Sequence, residues 1–174
     1  YQLHTGYVPA GSVKHPSFGS SVVQQIGNLT GELPSFVSVG ATQGAGFLGM
    51  EFEPFVVSQP GQLPDNVAMS VSKDRFNQRT DLMKKLNTEF AASGSKLLAD
   101  NHEALFGKTS RLVLTPEIQT FDISSEPKTL RDQYGDSNFG RGCLLARRLV
   151  ERGVSFVEVR GGNWDTHQNN FEDC

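Results

Sequence analysis

Apolar positions recur along this chain at two periods, and each change of period marks an element. Spacings of three and four residues put side chains on one face of an α-helix. They run through Phe18, Val22 and Ile26, and through Phe76, Arg79, Leu82, Met83, Leu86 and Phe90. They return at Leu97, Leu98, Ala104 and Leu105, and at Phe139, Cys143, Ala146, Leu149 and Val150. The spacing predicts a short helix opened by His15-Pro16 and stopped at Gly27, and a second from Ser72 or Asp74 to Ser93-Gly94. A third is expected over about residues 95–106, and a long one over 137–152 with Ser137 as its N-cap. Residues 1–7 read as the tail of a helix that Gly6 stops.

Between the helices lie two short apolar runs, 33–39 and 154–159. Helices separate them and both faces are apolar, which is the pattern of buried parallel strands. They predict an α/β chain in which the two strands pair side by side. Residues 57–67 carry Pro60, Gly61, Pro64 and Asp65 and form a loop. Residues 121–127 are a turn-rich connector, and Thr129 to Tyr134 form one or two helical turns. The run 113–120 stays ambiguous, because Pro116 interrupts a β-like pattern.

The chemistry-bearing stretch follows the last strand. Arg160-Gly161-Gly162-Asn163 breaks the apolar run, and Trp164-Asp165-Thr166-His167 comes next. In an α/β sheet, ligands bind in the crevice outside the carboxyl ends of the strands. Asp165 and His167 stand two apart, so in extended backbone they point to one side, and both are ligands suited to zinc or a similar divalent ion. The bland alternative is an acid and a histidine that cap a turn. A second motif, Gly44-Ala45-Gly46-Phe47-Leu48-Gly49, spells G-x-G-x-x-G after a strand. A dinucleotide site needs that motif to open a helix, but MEFEPFVV follows it. It therefore reads as a glycine-rich loop, and the loops Gly40–Gly49 and Gly161–Asn163 are expected to approach one crevice. His4, at a helix end, reads as structural rather than ligating, and His102 as exposed. Arg141, Arg147, Arg148 and Arg152 read as a solvated face rather than an anion site.

Composition narrows the picture. At 174 residues the chain makes one domain with room for a core. A net charge of −3 gives no argument for a nucleic-acid or anionic-membrane partner, so none is expected, and no apolar run is long enough for a membrane span. Two cysteines make no disulfide framework, and Cys143 reads as a small core residue. The chain starts without methionine and stops at FEDC, so it reads as an internal piece of a longer domain.

Several pieces in one order carry a resemblance: FDISSEP, YGDSNFG, LLARRLVERGVSFVEV and GGNWDTHQNN, together with YQLHTGY, HPSFGSSVVQQIG and LPSFV near the start. Together they resemble a bacterial sulfatase-like family catalogued as domain-of-unknown-function family 1501, within the alkaline phosphatase and sulfatase superfamily. The likeness covers most of the chain and is weakest over about residues 56–115. It implies an alkaline phosphatase-like parallel-sheet sandwich with flanking helices, incomplete as given. It implies a secreted or periplasmic metallohydrolase acting on phosphate or sulfate esters, small-molecule or saccharide. Asp165 and His167 would be metal ligands, with Asn169 hydrogen-bonding behind them. The metal would be zinc, calcium or manganese, which lowers the pKa of a nucleophile and neutralises the transferring oxyanion. The superfamily usually sets its Asp and His four apart, and here they stand two apart. Its nucleophile would lie before Tyr1. Two ligands are fewer than the three a catalytic ion takes, so the chain alone is expected to bind metal weakly and to be inactive. The alternative is a non-catalytic binding or scaffold protein on the same fold.

Overall fold

The structure is a computed structural model that describes residues 1–64, 67 and 71–162. Its centre is a parallel sheet of three strands in the order β2-β1-β3: β1 Phe36–Val39, β2 Phe55–Val57 and β3 Phe156–Val159. Val37 faces Phe55 on one side and Val157 on the other. The α/β class and the pairing of the two predicted strands thus follow the apolar runs. A three-stranded parallel sheet is common to many α/β folds, so an alkaline phosphatase-like architecture does not follow from it. Every residue of β1 is buried. Strand β3, with one sheet neighbour among the described residues, is half-buried throughout.

Helices cover both faces, as parallel sheets require. Helix α1 is Gln2–Thr5, closed by Gly6 at φ 74°, and α2 is Phe18–Ile26. On α2 the spacing had favoured Phe18, Val22 and Ile26 as the inner stripe, but Gly19, Ser20 and Val23 are buried. Phe18 is 66% and Ile26 71% exposed. The reason is a close approach: a Cβ on Gly19 would lie 2.5 Å from Phe36 and 2.7 Å from Phe156. The helix rides on the two rings through its small residues.

The opposite face is taken by α6, Asn138–Glu151, where Ser137 caps the first turn by accepting from Gly140 N–H. It buries Gly140, Gly142, Leu144, Leu145 and Leu149, while Phe139 and Val150 stay exposed. Of the expected stripe Leu149 is buried, but the rest is rotated away from the core, again because a glycine sets the contact. Gly142 sits over Val39 and Val159, leaving 2.9–3.1 Å for any Cβ. Leu144, Leu145 and Leu149 join Val37, Val39, Val57, Leu112 and Phe121 in one core.

Between β2 and α6 the chain forms α3 Lys73–Phe90, α4 Lys96–Leu114 and α5 Lys128–Tyr134. Helix α3 begins at Ser72 as predicted, whereas α4 runs eight residues past the expected end at 106. The ambiguous run 113–120 resolves into the end of α4 and a 3-10 turn over Pro116–Phe121. The apolar spacing of both helices does not take them into the core at these positions: α3 buries no residue, and Leu97 and Leu98 on α4 are 74% and 62% exposed. No helix among the described residues is long and apolar enough to cross a membrane.

Candidate functional site

Parallel strands bring their carboxyl ends to one rim, and the described polar groups meet there. Strand β1 leaves the sheet at Gly40, whose φ of 101° a side chain would strain. A Cβ at Gly40 would lie 3.1 Å from Arg160 Cβ, at the matching point beyond β3. Arg160 N–H donates to Val39 O at 3.0 Å, and its Nη1 donates to Ala41 O at 3.3 Å. The start of the loop after β1 therefore meets the chain leaving β3 at Arg160, while Asn163 of the expected 161–163 loop lies outside the described residues.

On the α1 side of this rim three side chains converge. Glu158 is the one acid inside the apolar strand Phe-Val-Glu-Val. Its carboxylate accepts from Thr42 Oγ1 at 2.9 Å and lies 3.1 Å from His4 Nδ1. Thr42 Oγ1 stands 3.5 Å from the same nitrogen. The side chains of His4 and Glu158 are 28% and 21% exposed, sheltered but open to a ligand. Helix α1 ends within two residues of His4, at Gly6. An imidazole and a carboxylate so placed can hold and pass a proton, or supply one nitrogen and one oxygen donor to a cation. They also tie α1 to the sheet.

Glu158 and Thr42 were not read from the sequence. Glu158 left a signal, since an acid inside a buried apolar strand needs a partner; Thr42 left none. His4, read there as structural, is part of the cluster. His15 is held elsewhere: its ring stacks on Tyr7 at 3.9 Å, and its backbone N–H donates to the Tyr1 hydroxyl at 2.8 Å. His102 is exposed as expected, with its Nδ1 3.1 Å from Asn87 Oδ1. Asp165, His167 and Asn169 lie outside the described residues. Among the described residues no group of three His, Cys, Asp or Glu side chains could hold a metal ion.

The G-x-G-x-x-G loop has a packing role. It forms 3-10 turns at Gly46–Leu48 and Met50–Phe52 and runs into β2, so it opens no α-helix. Gly46 lies against the backbone of Lys14 and His15, with 2.3 Å to Lys14 O for any Cβ. Glu53 holds the loop by accepting from Ala45 N–H at 2.7 Å. Of the arginines on α6, Arg147 and Arg152 pair at the surface with Glu151 and Glu117. Arg148 departs from the solvated reading: it is largely buried, pairs with Glu126 and donates to Thr120 O at 2.9 Å.

No curated protein and no solved structure matches the chain. The resemblance placed the chain with sulfatases and the alkaline phosphatase superfamily. That placement is corrected, because the family found carries no assigned function and nothing in the match links it to either. The chain matches the model described as "Protein of unknown function (DUF1501)" over residues 1–174, and it belongs to that family.

Proposed function

We propose that the carboxyl-end rim is the metal-binding part of a hydrolase that acts on phosphate or sulfate esters. Asp165 and His167 would be two ligands and His4 and Glu158 two more. The observation that carries this reading is the convergence of His4 Nδ1 and the Glu158 carboxylate, 3.1 Å apart, at the carboxyl end of β3; Asp165 and His167 follow seven and nine residues after Glu158 in sequence. The donor types fit: imidazole nitrogen and carboxylate oxygen suit zinc or manganese. Two described donors do not make a site, which is why Asp165 and His167 are needed. When bound, a divalent ion would supply Lewis acidity and an activated water. Thr42 would orient Glu158, since its hydroxyl already donates to Oε2.

Calorimetric titration of zinc and manganese into wild type, His4→Ala, Glu158→Gln and His167→Ala tests the assignment. Each substitution should weaken binding about tenfold or more. Hydrolysis of p-nitrophenyl phosphate or sulfate, with metal added, should fall in parallel. Equal affinity in wild type and all variants removes these residues from the site.

A second reading, a non-catalytic binding protein, draws support from the α3–α4 hairpin. It leaves Leu82, Leu86, Phe90, Leu97 and Leu98 exposed. Metal binding without any hydrolysis would favour that reading.

A further inference from the structure

A cavity of about 510 Å³ opens on the other side of the same rim, where the loop leaving β2 passes the first turn of α6. Ile123 and Leu144 form its apolar floor, and both are buried. The wall is polar and basic: Arg131 from α5, Arg141 from α6, and the side chains of Ser58 and Gln59. The loop is fixed against this wall. Gly61, at φ 93°, lies so close to Ile123 that a Cβ would stand 2.6 Å from its Cδ1 and 3.7 Å from Arg141 Cδ.

The charges are unevenly satisfied. Neither Arg131 nor Arg141 forms an ion pair among the described residues, whereas Arg147, Arg148 and Arg152 all do. Arg141 donates from Nη2 to Asn138 Oδ1 at 2.6 Å, which aims its fork without neutralising it. Arg131 Nε is buried and has no hydrogen-bond partner among the described residues. A buried donor on a charged group carries a desolvation penalty until an acceptor arrives. Among the described residues of the lining, Asp136 supplies the single opposing charge.

We propose that this cavity binds a phosphate or sulfate group, free or as the anionic end of an ester. Two arginines without a carboxylate partner among the described residues line this one cavity, and guanidinium groups suit the tetrahedral oxyanions of phosphate and sulfate. The N-terminal turn of α6 adds its positive end to the same wall. The site stands apart from His4 and Glu158 and needs no metal.

The test is a titration of inorganic phosphate and sulfate into the full chain with a chelator present, followed by two-dimensional amide NMR. Amides of Ser58, Gln59, Gly61 and Asn138–Gly140 should shift saturably. Arg131→Gln and Arg141→Gln should each weaken binding roughly tenfold or more, with the double variant showing none. Asp136→Asn should tighten it, and His4→Ala should leave it unchanged. Thermal melting without anion checks that each variant folds. For a variant that does not fold, Arg131→Lys replaces it and should weaken binding while keeping the charge. Saturable shifts that persist in the folded double variant overturn the proposal. So does the absence of shifts at high phosphate, or binding of acetate but not of phosphate and sulfate. Loss of metal binding in His4→Ala alongside intact phosphate binding separates this site from the proposed metal centre.

Discussion

Helices α3 and α6 begin in the same way and end in different surroundings. A serine caps each first turn: Ser72 accepts from Arg75 N–H and Ser137 from Gly140 N–H. Both carry apolar residues at helical spacing. Yet α6 buries three leucines against the sheet, while α3 buries nothing and meets α4 along its length. Full burial of a leucine contributes about 1.5–3 kcal/mol, so the sheet-facing helix holds the fold and the hairpin rests on it. Amphipathic spacing makes a helix eligible for a core. Whether it reaches one depends on what stands opposite.

The sharpest way to break this contrast is truncation. Leu145→Ala, at a fully buried position, should cost about 2–5 kcal/mol in denaturant unfolding. Leu86→Ala, at 52% exposure on α3, should change stability by no more than about 0.5 kcal/mol. Equal losses would mean that the hairpin is as integral as the body.

Glycines sharpen the comparison. Gly142→Ala should cost about 1–3 kcal/mol, because its Cβ would press on Val39 and Val159. Gly94→Ala, in the turn joining α3 and α4, should cost about 1 kcal/mol for a different reason: φ is 100° and nothing lies within 4 Å. A double-mutant cycle tells the two apart. Val159→Ala should recover part of the Gly142→Ala loss, and no neighbouring truncation should recover the loss at Gly94.

The smallest effect lies at the joint between the two regions. Lys108 on α4 donates to Met50 O and Glu53 O, and its burial, opposed by Glu51 and Glu53, moves its pKa below the ordinary 10.5. The folded chain then binds this proton less tightly than the unfolded chain. The charged lysine is thus a liability, fully present below the lowered pKa and relieved as pH rises toward 10.5. Wild type should therefore gain stability relative to Lys108→Met across the alkaline range, read as a narrowing difference in urea midpoints. A constant difference would mean that Lys108 titrates alike folded and unfolded.

Local signals in the sequence were read well where the physics is local. Gly6, Ser72, Gly94 and Ser137 marked helix ends because capping and positive φ need only the next few residues. Short apolar runs between helices announced β1 and β3. The helix faces were misread on α2 and α6 for one shared reason. Spacing ranks large apolar residues, whereas close packing on the sheet chose Gly19 and Gly142. Of the candidate site, Asp165 and His167 stood out as a motif but lie outside the described residues. Thr42 had no sequence mark.

By itself the sequence determined the α/β class, the parallel pairing of its two apolar runs, and the ends of most helices, because propensity, capping and strand burial act over a few neighbouring residues. Only the tertiary structure decided which helix face is inside and which arginines have no carboxylate partner among the described residues. It also decided that His4, Thr42 and Glu158 would meet across more than a hundred residues of chain. Those outcomes depend on pairs of surfaces brought together by the sheet, and no window along the chain contains both members of such a pair.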